Sequence, residues 1–134
     1  MELLWMRAVG IAFVTKLQFD FDGKKLTAQI ADTDAAQELL KQLPLDLEVS
    51  DFANAEKIAN LPSKLKISAA DRALSGKGEP GVIAYYIPWG NIAMFYKGFG
   101  YDRDLTKLAI FENDAIEVLK SIGEGVNLRI TKIP

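Results

Sequence analysis

Cysteine and histidine are both missing from this chain. Without cysteine there are no disulfides and no thiolate nucleophiles. Without histidine there are no Ser-His or Cys-His dyads and no imidazole bases, and the usual zinc sites go with both. Acid–base chemistry would therefore fall to Asp, Glu, Lys or Tyr. An oxygen-ligand metal site would want an Asp-x-Asp-x-Asp-Gly loop, and none occurs. Neither a metal nor an organic cofactor is expected. Charge of one sign is lacking too: 16 basic and 18 acidic residues are interspersed, for a formal net charge of −2. Phosphate binding needs a basic patch, so nucleic acid and anionic membranes are not expected partners. No apolar run approaches the roughly 20 residues of a membrane-spanning helix.

The N-terminal stretch Met1–Val14 is apolar but interrupted by Glu2 and Arg7. A signal peptide wants a basic start, an unbroken apolar run and a small-residue cleavage site, and the stretch meets none of these. It reads as an extension with a cytoplasmic location. It could add a first strand, with Val9, Ile11 and Phe13 facing inward, or form an edge through which two copies pair as a homodimer.

What is present is an ordinary globular composition, 49% hydrophobic and 25% charged in 134 residues. That suits one domain over 15–134 with a core of its own. From Thr15 the chain alternates: Leu17, Phe19 and Phe21 are apolar between Lys16, Gln18, Asp20 and Asp22. Asp22-Gly23 then predicts a hairpin turn, and Leu26, Ala28 and Ile30 line the return strand. A helix is predicted over about Asp34–Leu43, capped by Thr33 or Asp34 and stopped by Pro44. Leu45–Ser50 alternates as a third strand. Phe52–Pro80 is less regular, with a short strand expected at Leu65–Ile67 and a loop over Ser68–Pro80. Another strand is expected at Lys107–Phe111. A second helix follows over about Asp114–Ile122, capped by Asn113 and closed by Gly123, and then a last strand over Val126–Ile133.

Between these lies Gly81–Tyr101, which holds seven of the thirteen aromatic residues. Two apolar runs of strand length flank Pro88-Trp89-Gly90-Asn91, predicting a hairpin apolar on both faces. Many short strands with two short helices indicate a mainly β fold, and this hairpin favours a closed antiparallel barrel.

The chain resembles the small prokaryotic cyclophilin-like proteins. The residues that carry the resemblance are Leu43-Pro44-Leu45, Glu56-Lys57 with Leu61-Pro62, and Ile83-Ala84-Tyr85-Tyr86. Strongest is the block Pro88-Trp89-Gly90-Asn91-Ile92-Ala93-Met94-Phe95-Tyr96-Lys97, followed by Phe99-Gly100-Tyr101. It spans about Thr15–Lys132 and implies a cyclophilin-like antiparallel β-barrel with two short α-helices. The usual Gly-Asp before the Ile-Ala-Tyr strand is Gly81-Val82 here. Cyclophilins proper are peptidyl-prolyl isomerases that pair an arginine with an apolar proline pocket and a histidine. Their Phe-His-Arg-type and Gln-Gly-Gly-Asp-type motifs are absent, and neither Arg72 nor Arg103 sits in a recognisable motif.

Two readings of the aromatic segment stay open: its rings fill the barrel, or they floor a pocket. In the second, Tyr86, Asn91, Tyr96 and Arg103 form a polar rim, Trp89 stands at the strand end, and Glu56 is one of the few acids the resemblance picks out. Gly98 and Gly100 mark either a bend or a close approach of backbone to ligand. Glu56-Lys57 could equally be a solvated loop pair, and Asp102-Arg103-Asp104 a charged turn. The expected function is a module binding a small molecule or short peptide beside the aromatic hairpin; the alternative is a weak prolyl isomerase.

Overall fold

Alternation in the sequence becomes strand pairing in the computed structural model, which describes residues 13–73, 75–112 and 114–134. Strands β1 (Phe13–Phe21) and β2 (Lys24–Ala31) pair around Asp22 and Gly23. Both turn residues have positive φ, 51° and 100°, as a tight hairpin requires. Helix α1 (Asp34–Gln42) follows, its N-terminus capped by the Thr33 hydroxyl, which accepts the Ala36 N–H at 3.2 Å. It buries Ala35, Ala36 and Leu39. Then come β3 (Leu45–Phe52), β4 (Glu56–Asn60), α2 (Ala69–Arg72), β5 (Ser75–Gly78), β6 (Val82–Tyr86), β7 (Asn91–Phe95), β8 (Phe99–Phe111), α3 (Ala115–Ser121) and β9 (Val126–Lys132).

The strands run in the order β2-β1-β9-β3-β4-β7-β6-β8, and β2 pairs with β8 to close the ring. This is an eight-stranded antiparallel barrel, as expected, and β5 is added on the far side of β8. Closure leaves no free edge in the ring.

Several local expectations are corrected. The segment read as a loop contains α2 and β5. Ser68 and Asp71 form a reciprocal capping box, a start signal present in the Ser-Ala-Ala-Asp sequence. Ser75-Gly76-Lys77-Gly78 has loop composition but pairs with β8 through its backbone. Residues 65–67 form no strand. The strand expected at Lys107–Phe111 begins at Phe99, so Asp102-Arg103-Asp104 lies within β8 and is not a turn. Glu56 and Lys57 open β4 and are buried, not a solvated loop pair. Among the described residues the barrel carries three helices, not two. Helix α3 starts after Asp114, which makes no side-chain cap bond; Asn113 lies outside the described residues. So do 1–12, and with them the strand, signal and pairing expectations for the extension. Among the described residues no helix is long and apolar enough to cross a membrane.

The wall formed by β4, β7, β6 and β8 has two apolar faces. Ala59, Ile83, Tyr85, Ile92 and Met94 join the main core inside the barrel with Leu17, Phe19 and Ile130. One residue along each strand, Val82, Ala84, Ala93, Phe95 and Leu105 form a second cluster on the outer face, flanked by Ile58 and Tyr86. The chain around β5 covers part of that face. A Cβ at Gly78 would collide with the Phe95 ring, so only glycine lets β5 lie this close.

Candidate functional site

Cross-strand register fixes which side chains meet on the outer face. One row runs Phe52, Glu56, Phe95; another runs Asn91, Tyr86, Leu105. Between them stands the row Ile58, Ala93, Ala84, so two methyl side chains separate the larger groups. A cavity of about 150 Å³ opens on this face, lined by Phe52, Glu56, Tyr86, Trp89, Asn91, Asp102 and Leu105. It lies outside the barrel wall, not among the residues that fill the interior.

The turn between β6 and β7 places Trp89. The Gly90 N–H donates to the Tyr86 carbonyl at 3.0 Å and the Ile87 N–H to the Asp104 carbonyl at 3.0 Å. Gly90 adopts φ +67°, a left-handed conformation that glycine takes without strain. The indole remains 53% exposed. It stands nearly perpendicular to Phe52 (centroids 5.3 Å apart, 82°) and to Tyr86 (5.3 Å, 88°). Phe52 is itself 36% exposed, so the three rings make an aromatic rim at the mouth of the cavity.

Two buried polar residues of the lining have side chains without a partner among the described residues. Asn91 is 1% exposed, and its Oδ1 accepts no hydrogen bond among the described residues. Glu56 is 7% exposed, and among the described residues no hydrogen bond or ion pair reaches its carboxyl. Burial, reinforced by the nearby Asp51 charge, pushes the Glu56 carboxyl up to about 7. Gln42 Oε1, Ser75 Oγ and Thr106 Oγ1 are also buried without a bond among the described residues, but only Asn91 and Glu56 line the cavity, where such groups are open to contact from outside the chain.

The charges next to the cavity are satisfied internally. Asp51 Oδ1 accepts the Tyr96 hydroxyl at 2.5 Å and pairs with Lys57 Nζ at 3.0 Å. Lys57 also donates to the Ile122 carbonyl at 2.7 Å. Burial works to raise the Asp51 pKa, but the Tyr96 and Lys57 bonds outweigh it and hold the carboxyl below the ordinary aspartate value. Burial first, then the Asp51 bond, pushes the Tyr96 phenol up to about 12.

Of the residues singled out in the sequence, Glu56, Tyr86, Trp89 and Asn91 meet in the lining. Tyr96 does not: it belongs to the main core cluster and clamps Asp51. Arg103 is exposed and outside the lining, while its neighbour Asp102 is within it. Phe52, Asp102 and Leu105 were not anticipated. Phe52 had a signal. On β3 it falls in phase with Asp46, Glu48 and Ser50 rather than with the buried Leu45, Leu47 and Val49. An aromatic residue on the polar phase of a strand marks a second surface that buries something. A Cβ at Gly98 or Gly100 would meet, among the described residues and apart from its chain neighbours, no atom within 4 Å. Among the described residues no cluster of three acidic ligands could hold a metal ion.

No protein of curated function matches the chain in sequence. A hypothetical protein from Archaeoglobus fulgidus, solved in solution, shares the fold at a TM-score of 0.63 and 13% identity; the match covers 89% of this chain and 95% of that one. At that identity the likeness concerns the fold alone. The profile describing the Cyclophilin-like family matches residues 19–131, nearly the whole barrel together with the wall that carries the cavity. The chain therefore belongs to the cyclophilin-like family.

Proposed function

We propose that the protein is a binding module that receives a small molecule, or one side chain of a short peptide, in the cavity outside the β4-β7-β6-β8 wall. The observation that carries this reading is that Asn91 Oδ1 and the Glu56 carboxyl, both of buried residues and both without a partner among the described residues, lie on the same cavity. Leaving such groups unmade costs about 1–3 kcal/mol each, a cost that a ligand supplying the missing bonds removes. The exposed aromatic rim supports the same reading, since rigid rings at a cavity mouth give contact area at small entropic cost. The prolyl isomerase alternative gains no observation of this kind. Among the described residues the lining contains no arginine; Arg72 and Arg103 are exposed, and Arg129 is paired with Asp46 at 2.6 Å.

The test is an NMR screen of isotope-labelled protein against a fragment library of neutral, cationic and anionic compounds. Binding should move the Trp89 indole N–H and the Asn91 side-chain amide together, and Trp89→Ala should abolish the response. A library in which no fragment moves those two signals, or in which the hits map to another surface, overturns the proposal.

A further inference from the structure

The chemistry of the lining narrows the ligand class, on the condition that the cavity is a binding site as proposed above. We propose that it accepts a cationic amine head, an alkylated ammonium, with the rings of Phe52, Tyr86 and Trp89 around the cation and the carboxylates of Glu56 and Asp102 opposite its charge. Aromatic faces attract a cation through their quadrupole, and the attraction strengthens as the cation is desolvated. Among the described residues the lining carries two carboxylates and no basic side chain. The two lysines buried in the wall are engaged elsewhere: Lys57 with Asp51 and the Ile122 carbonyl, Lys107 near Glu79 at 3.6 Å. An anion would meet two carboxyl groups and no basic side chain among the described lining residues. A cation would give Glu56 the counter-charge that the fold withholds, and an N–H on it could reach the Glu56 carboxyl.

Size agrees. The cavity of about 150 Å³ matches, in order of magnitude, one that holds a benzene-sized group. That is room for an ammonium head with its methyl or methylene substituents, but not for a peptide backbone. Such a head occurs on small onium compounds and on lysine side chains.

Cation binding is linked to the Glu56 proton. The groups around that carboxyl are Asp51 from β3, Tyr96 beyond β7, Asp102 from β8, and Lys57, which follows it on β4 and is held by Asp51. With the carboxyl titrating at about 7, a cation that binds only its ionised form should bind about tenfold more tightly at pH 8 than at pH 6.

The experiment titrates the full chain, by NMR at Trp89 and Asn91, with choline, its neutral isostere 3,3-dimethylbutan-1-ol, butyrate and Nα-acetyl-lysinamide. The expected result is saturable binding of the cations, at least about tenfold tighter than the isosteric alcohol. Butyrate should not bind, and only the cations should tighten between pH 6 and pH 8. Glu56→Gln and, at the more exposed position, Asp102→Asn should each weaken choline and leave the alcohol unchanged. Choline tighter than Nα-acetyl-lysinamide assigns the site to a small onium compound; the reverse order assigns it to a lysine side chain. An alcohol that binds as tightly as choline overturns the cation inference and leaves the binding reading standing. Silence from all four probes and from the fragment screen overturns both.

Discussion

On the inner face of the β4-β7-β6-β8 wall, Ile83, Ile92 and Met94 are fully buried in a continuous core, and the Tyr85 hydroxyl accepts the Leu65 N–H at 3.2 Å. One residue along the same strands, the outer face holds a small cluster, an open cavity, two exposed rings and two polar groups without partners among the described residues. Backbone, pairing and neighbours in sequence are shared, so the contrast comes from side-chain identity and from what covers each face. The inside is closed by the rest of the barrel. The outside is closed only where β5 reaches, and beyond that reach lies the open cavity. Part of the molecule is thus built for stability and part at some expense to it.

Breaking the inner face should have the largest effect. Ile92→Ala empties part of a fully buried site, and should cost about 2–5 kcal/mol in urea unfolding. Next comes the boundary between the covered and open parts of the outer face. Gly78→Ala would drive a methyl into the Phe95 ring. It should cost about 1–3 kcal/mol of overpacking, and hydrogen exchange should show β5 loosening ahead of the barrel. The smallest stability effect is expected at the rim. Trp89 is 53% exposed, so Trp89→Ala should change unfolding by less than about 1 kcal/mol while removing ligand responses at Asn91. A large loss of stability there would make the ring structural and erase the distinction between rim and core.

The sequence made the barrel legible because β1, β2, β3 and β9 alternate cleanly and their turn residues are unambiguous. The aromatic hairpin also declared itself, with Tyr86, Trp89 and Asn91 at its turn. Its two apolar faces were evidence of closure, but they did not show that the outer one holds a second cluster. That depends on β5, whose Ser-Gly-Lys-Gly sequence looks like a loop and whose pairing is purely backbone. Asp102 hid in a run of alternating charge that also suits a turn. Tyr96 and Arg103 were grouped with the site by nearness in sequence. The Tyr96 ring belongs to the inner core, and Arg103 points away from a lining that its neighbour joins. Nothing in Glu56-Lys57 predicts that one side chain lies unpartnered on the cavity while the next pairs with Asp51. Register alone decides that.

The most direct test of the contrast is the stability of Glu56→Gln against the parent chain, measured by urea unfolding at pH 4 and at pH 8 without ligand. The Glu56 carboxyl is raised from 4.5 to about 7 on folding. The folded state therefore holds its proton more tightly than the unfolded one, and stability present below pH 4.5 is lost as pH rises through about 7. The glutamine variant has no such proton to lose. The two proteins should match at pH 4, and the variant should be more stable by about 2–3 kcal/mol at pH 8. A variant no more stable than the parent at pH 8, or equally offset at both pH values, would mean that Glu56 is satisfied within the fold and is not held open for a ligand.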